Sequence, residues 1–381
     1  MELSQEVHSI IARYVGSRSD LLSLCRVSKR FQKEAERALY NTLHLRGHTR
    51  SVSLYSVLGR TPRLALLVEA LSIYVDEGNG QEGDMDDDDD QSDTSSESSY
   101  PDDFWSTVAS ALRQTTKLRF LSVYLGRVNH SSQAWILDGC TFQLRTFHSD
   151  FDWDHHLETF LRSQPALHDL YLADYRTAGP SSPSCPAVAR TPPSLPLLSL
   201  LECTFSEAAV ALVPGRPVER VKTCFSKAKI EDKRAELRAL LTSLRRSKKP
   251  LRALDLADDS YQSSFTLELV TSIDRVLSSR HGLRYLGTLA YPVDPTERVD
   301  FYTRLMRLPH LQCVELEVTE WEPPPMTPAA LRALTYELRI YCPQVERVVY
   351  VYDFDRVVMK VVDNLCVLDN EAVAETLWRE I

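Results

Sequence analysis

Apolar side chains recur along this chain as apolar-x-x-apolar-x-apolar, the spacing of a short strand entered from a turn. Clear copies are Val68/Leu71/Ile73, Leu118/Leu121/Val123, Leu167/Leu170/Leu172, Leu195/Leu198/Leu200, Leu251/Leu254/Leu256, Leu311/Val314/Leu316 and Val345/Val348/Tyr350. Partial copies are Leu144/Phe147, Val218/Val221 and Leu283/Leu286. Successive copies start 22 to 34 residues apart once a 28-residue acidic insertion is subtracted from the first step. Between them, Trp105/Val108/Ala109/Leu112 and Leu237/Leu240/Leu241/Leu244 follow i, i+3, i+4, i+7, the period of a helix with one apolar face. Leu157/Phe160/Leu161, Leu269/Ile273/Leu277 and Leu331/Leu334/Leu338 follow parts of that period.

Helix, short turn and short strand repeating at this interval predict an α/β chain. The pattern resembles a leucine-rich repeat of the long intracellular kind, although the units are irregular. That resemblance implies a solenoid over residues 104–362, with helices outside and short parallel strands inside, because no single unit closes its own core. A doubly wound sheet is the alternative. It needs glycine-rich strand-to-helix turns, and the chain has 12 glycines and no GxGxxG.

Breakers divide the chain. Residues 76–103 carry 13 acids and no base, with Met85 and Tyr100 as their only sizeable apolar side chains. Such a segment buries too little to offset its ordering entropy and is expected to be disordered. It also sets the charge: the chain is −9 overall, the segment contributes −13, and the rest is +4. A near-neutral body gives no support to a broad nucleic-acid-binding face. Residues 179–196 hold six prolines without periodicity and read as an extended loop. Thr327-Pro328 fits the cap and first turn of a helix. Residues 47–75 read as a connecting helix and first repeat, and 363–381 as a C-terminal capping helix.

No run of about 18 apolar residues is present, so no membrane span is expected. The eight cysteines are spread singly, without CxxC or His at zinc-ligand spacing. They read as reduced, buried thiols, which fits a cytoplasmic or nuclear location.

The first 46 residues form a separate helical unit. Ser4 is placed to cap a helix bearing Val7, Ile10, Ile11 and Tyr14. Ser19 is placed to cap a second with Leu21, Leu22, Leu24, Cys25 and Val27, and Ser28 a third through Phe31, Ala35 and Leu39. Apolar residues fall on more than one face, so the unit wants a partner. The order of residues resembles an F-box. Leu3, Glu6, Val7, Ile10, Ile11, Asp20, Leu21, Val27, Ser28, Lys29, Phe31, Ala35, Leu39 and Tyr40 stand where that family has its pattern, and "DLLSLCRVSKRF" is the specific part. Ser4 stands where the family usually has Pro, and Ile11 where Phe is common. The following "ALYNTLHL" is similar to repeat-bearing fungal F-box proteins.

That resemblance implies a non-catalytic substrate receptor of an SCF-type cullin–RING ubiquitin ligase. Leu3, Val7, Ile10, Ile11, Leu21, Leu22, Leu24, Val27 and Phe31 would dock a Skp-type adaptor, and through it cullin. The repeats would hold a protein substrate. A repeat scaffold without a ubiquitin role is the alternative.

In each repeat strand, alternate positions face away from the helices. This places Tyr74, Phe120, Tyr124, His148, Asp150, Asp169, Tyr171, Arg220, Lys222, Asp255, Tyr285, Glu315, Glu317 and Arg347 on the inner face. Acids beside aromatics recur just after the strands, at Trp153, Tyr175, Tyr261, Trp321 and Phe354. Aromatic anchors of this kind suit a partner segment bearing Lys or Arg. The expected substrate set is Tyr74, Phe120, Tyr124, His148, Trp153, Tyr171, Tyr175, Tyr261 and Trp321. No cofactor and no metal is expected. "FDWDHHLE" groups Asp152, Asp154 and Glu158 with His155 and His156, but adjacent helical residues point about 100° apart, so a helix start with a capping Asp is the better reading. No GxSxG, HExxH, P-loop or kinase signature is present.

Overall fold

The computed structural model describes residues 4–47, 49–75, 102–126, 133–173, 195–258, 262–277 and 282–381. They fall into two compact units, Met1–Leu167 with Leu172–Ser182, and His168–Tyr171 with Pro183–Ile381.

The first unit opens with three helices, α1 (Gln5–Tyr14), α2 (Arg18–Val27) and α3 (Lys29–Tyr40). Ser4 caps α1 by accepting from Val7 N, and Ser28 caps α3 by accepting from Phe31 N. The second helix starts two residues earlier than expected. Ser17, not Ser19, precedes it, and the two hydroxyls bond each other at 2.6 Å. There follow β1 (Thr42–Arg46), α4 (Thr49–Arg60), α5 (Pro62–Ala65), β2 (Ala70–Tyr74), α6 (Asp102–Gln114), β3 (Phe120–Tyr124), β4 (Thr146–Ser149) and α7 (His155–Arg162). Strands β1 to β4 are parallel neighbours in sequence order. The acidic segment was expected to reach residue 103. Asp102 and Asp103 instead start α6, and 76–101 lie outside the described residues.

One strand face turns to the helices. The row Leu71, Leu121, Phe147 is fully buried, and Phe147 packs edge-on against Phe160 of α7 with ring centroids 5.3 Å apart. Asp154 caps α7 by accepting from Leu157 N, and His156 Nδ1 lies 2.8 Å from Asp138. The acid–histidine run is therefore a helix start. The strand β5 (Asp169–Leu172) falls at the division, with its residues to Tyr171 in the second unit.

The second unit alternates β6 (Leu200–Cys203), α8 (Ser206–Leu212), β7 (Arg220–Cys224), α9 (Ile230–Leu244), β8 (Ala253–Ala257), α10 (Ser263–Leu277), β9 (Tyr285–Ala290), α11 (Pro295–Leu305), β10 (Cys313–Glu317), α12 (Pro328–Tyr341) and β11 (Arg347–Tyr352). Strands β6 to β11 are again parallel neighbours in order. Thr327 caps α12, with Pro328 in its first turn. The row Val221, Leu254, Leu286, Val314, Val348 is fully buried on the helix side, where Tyr350 meets Thr335 of α12. Mixed α/β architecture with short parallel strands joined by helices thus holds in both units.

The chain end departs from expectation. Residues 363–381 are not one capping helix. An antiparallel pair, β12 (Asp355–Val362) and β13 (Leu365–Leu368), extends the sheet from β11. Two-residue turns join these strands, with positive φ at Asp353, Phe354, Asp363 and Asn364, the hairpin geometry that matches strand twist. Beyond them the last residues form a short helix, α13 (Leu377–Glu380). Seven cysteines fall among the described residues and none is in a disulfide. Burial pushes the thiols of Cys140, Cys203 and Cys342 up to about 12. No helix among the described residues is long and apolar enough to cross a membrane.

Candidate functional site

Three surfaces carry the residues singled out by sequence. The first is the outside of α1 and α2. Val7, Ile10, Tyr14, Leu22 and Val27 are all exposed, from 37% at Val7 to 87% at Tyr14. The small core beneath is Ala12, Leu21 and Ala35, with Val15, Leu24, Cys25 and Leu39 packed around it. Leu21 therefore belongs to the interior of the unit and not to its outer face. Helix α1 is held through its polar side: His8 is buried, its Nδ1 2.7 Å from Ser4 O and its ring edge-on to Phe31 at 4.5 Å. With His8 and Ala12 turned inward, Val7 and Ile10 are left outside. Ile11 and Phe31 are half-buried at the margin, and Leu3 lies outside the described residues.

The second surface is the strand face of the first unit that points away from α7. The register aligns Arg46, Tyr74 and Tyr124 in one row, His44, Ser72, Ser122 and His148 in a second, and Thr42, Ala70, Phe120 and Thr146 in a third. Tyr74 and Tyr124 stack at 5.4 Å, and the Arg46 guanidinium carbon lies 5.4 Å from the Tyr74 ring centroid. Phe120 meets His148 edge-on at 5.7 Å. Tyr74, Phe120, Tyr124 and His148 are each half-buried, so four of the nine expected substrate residues come together on one platform. His44 and Arg46, which sequence reasoning passed over, are exposed at its edge. The alternation in Thr42-Leu43-His44-Leu45-Arg46 was the signal that marked them. Asp150 closes the row beyond Tyr124 by accepting from Leu125 N and Gly126 N at 2.9 Å. Burial raises its pKa against those two N–H donors.

The third surface, the corresponding face of the second unit, is not open. Asp255, Tyr285, Glu315 and Glu317, expected on an accessible inner face, are buried at 1%, 0%, 2% and 7% exposure. The reason is the chain end. Ala374, Leu377 and Trp378 pack on Ala253, Tyr285, Cys313, Val349, Val351 and Val358. Arg379 reaches Asp169 at 2.8 Å and also pairs with Glu202. Under this cover Tyr285 donates to Glu315 at 2.5 Å, and Thr288 donates to Asp255 at 2.8 Å. Gly287 leaves room there, since a Cβ at that position would stand 3.1 Å from Asp255 Oδ1. Lys222 pairs with Asp255 at 3.4 Å, and Arg356 with Glu315 at 3.4 Å.

Burial, then the neighbouring Asp255 charge, raises the Glu315 pKa, while the Tyr285 hydroxyl and Arg356 pull the other way. An acid raised in the folded state favours folding while protonated. That contribution is complete below the ordinary Glu range and is lost as pH rises through the raised value. Glu315→Gln, which keeps an acceptor for Tyr285, should therefore raise the melting midpoint at pH 7.5, with the gain shrinking towards pH 4. Thermal melts across that range check it, and a variant less stable at pH 7.5 than at pH 4 relative to wild type contradicts it.

The expected rim anchors fare differently. Trp321 donates from Nε1 to Tyr291 O at 2.9 Å and stacks on Tyr291 at 5.4 Å, with Arg298 over its outer face. It is held against Tyr291, at the edge of the Tyr291/Tyr302/Tyr350 core. Trp153 and Tyr171 are half-buried, and Phe354 is 90% exposed at the β11–β12 turn. Tyr175 and Tyr261 lie outside the described residues. No group of three or more potential metal ligands gathers among the described residues. Neither a family model nor a curated protein matches this sequence.

Proposed function

We propose that this chain is a non-catalytic substrate receptor of an SCF-type cullin–RING ubiquitin ligase. In this reading α1 to α3 dock a Skp-type adaptor, and an irregular leucine-rich-repeat body holds a protein substrate. The observation that carries the reading is the outer face of the opening helices. Five large apolar side chains within 21 residues stand exposed there, on a unit whose own core is three residues deep. Single exposed apolar residues need no explanation, but five large ones on a helical unit with so small a core suit a docking surface. The F-box order of residues says which partner that surface fits. The helix–strand alternation in register supports a repeat body, since each strand adds beside the last and offers one face for binding.

Affinity capture with mass spectrometry tests this. The intact chain is expected to bring down a Skp-type adaptor and cullin, and the chain without residues 1–46 neither. Capture of other partners in the absence of any adaptor would favour a scaffold without a ubiquitin role.

The platform of the first unit is the substrate surface in this reading. Tyr74, Phe120 and Tyr124 are aromatic, half-buried and held by neighbours, the state in which anchors order at small entropic cost. Replacing Phe120 and Tyr124 with Ala should weaken substrate capture by about 1–3 kcal/mol per true anchor while leaving adaptor binding unchanged. Equal capture of the same substrates by a folded double variant would move the substrate surface elsewhere.

A further inference from the structure

The cover over the second unit is attached in an unusual way. From Asn370 to Ile381, the described backbone hydrogen bonds stay inside the segment: Thr376 N donates to Val373 O, and Ile381 N to Leu377 O. The last backbone bond to the sheet is from Asp369 N to Val358 O. What holds the segment down is side chains. Leu377 and Trp378 are 2% and 1% exposed, while Val373 before them is 57% exposed. Arg379 spans two carboxylates, Asp169 and Glu202, and its own guanidinium carbon sits 4.8 Å from the Trp378 ring centroid. Lys222 lies over that ring at 6.0 Å.

This is the anatomy of a bound peptide: a few buried anchors, of the residue types that dominate interfaces, and no backbone continuity with the surface below. Because none of its described backbone hydrogen bonds reaches the sheet, its departure breaks no strand pairing. The carboxylates it uncovers become hydrated and are not left buried. Opening of such a segment ahead of the unit is what the proposal below requires and what hydrogen exchange reads.

We propose that this face of the second unit is a binding site for an outside peptide in which an aliphatic residue, a tryptophan and an arginine follow one another, and that the chain's own Leu377-Trp378-Arg379 occupies it in that partner's place. Trp378 fills the apolar floor over Ala253, Tyr285 and Cys313, and the guanidinium selects the Asp169–Glu202 pair, which a lysine ammonium matches less well. The tail is tethered, so it is present at high effective concentration. An incoming partner meets the site only in the open fraction, and its apparent affinity falls by that fraction. The inference does not depend on adaptor docking.

A fluorescent synthetic peptide of residues 370–381 provides the probe. It is titrated into the full chain and into the full chain carrying Trp378→Ala and Arg379→Glu. Binding at least tenfold tighter to the variant is expected, and at least a tenfold loss when the peptide itself carries either substitution. Adding Asp169→Asn and Glu202→Gln to the protein should also weaken it. A variant that melts cooperatively and binds the peptide no better than wild type overturns the proposal. Hydrogen exchange on the unaltered chain stands whether or not the variant folds. Amides of 376–381 should exchange at least 100-fold faster than those of β8 to β10, and equal protection would show that the tail opens only with the whole unit, which also overturns it. A mass that rises to a dimer with concentration would assign the site to a second copy and count against an outside partner.

Discussion

Leu22→Asp is expected to abolish adaptor binding and leave the fold intact. Leu22 is 56% exposed on α2, so an aspartate there meets water in the free protein and costs little stability. In the proposed complex the same position would lie under the adaptor. An interface of standard size buries about 1,600 Å² and depends on a few central anchors. A carboxylate desolvated there without a partner costs several kcal/mol, which turns a stable complex into one lost on a column. The contrast with Leu21 sharpens the test. Leu21 is 6% exposed against Ala12 and Ala35, so Leu21→Asp should unfold the three-helix unit itself. Co-purification with adaptor and thermal melts of both variants separate the effects. Unchanged adaptor recovery with Leu22→Asp would remove this face from the account.

Lys233→Met is expected to be the most damaging single change in the second unit. Lys233 of α9 forms an ion pair with Asp258, just after β8, and their side chains are 2% and 6% exposed. Removing one charge of such a pair leaves the other buried and costs about 3–5 kcal/mol. In a unit of about 200 residues that is a fall in melting midpoint on the order of 10 °C. Replacing both, as Lys233→Met with Asp258→Leu, should recover most of the loss, because the penalty comes from burying a carboxylate without its lysine and not from the missing attraction. Melts of the single and double variants measure it. A single variant within ~1 kcal/mol of wild type would mean that water reaches Asp258.

The parts of this architecture that were legible are those that periodicity encodes. Leu71, Leu121, Leu254, Val314 and Val348 all fall on the helix side of parallel strands, as their spacing required. Local capping chemistry at Ser4, Ser28, Asp154 and Thr327 was also readable, because each cap bonds an amide within three residues. The platform of Tyr74, Phe120 and Tyr124 followed from alternation alone.

What stayed hidden depends on contacts far apart in sequence. Alternation assigns Asp255 and Glu315 to a face but says nothing about what covers it. The cover comes from Leu377 and Trp378, more than 60 residues beyond Glu315. The four-residue helix that carries them is too short to show a period. The contacts of Trp321 stayed hidden for a similar reason: its partner, the Tyr291 carbonyl, lies 30 residues upstream. The β12–β13 hairpin, by contrast, had a local signal in Asp363-Asn364 between two apolar runs, which a helical reading of 363–381 passed over.

The opening helices carry the central claim, and mixing purified components tests it most directly. The full chain and a recombinant Skp-type adaptor, combined at equal micromolar concentrations, should elute as one 1:1 complex by size exclusion with light scattering, while the Leu22→Asp chain should elute apart from the adaptor. Separate elution of the unaltered, folded chain and the adaptor at those concentrations would contradict the account.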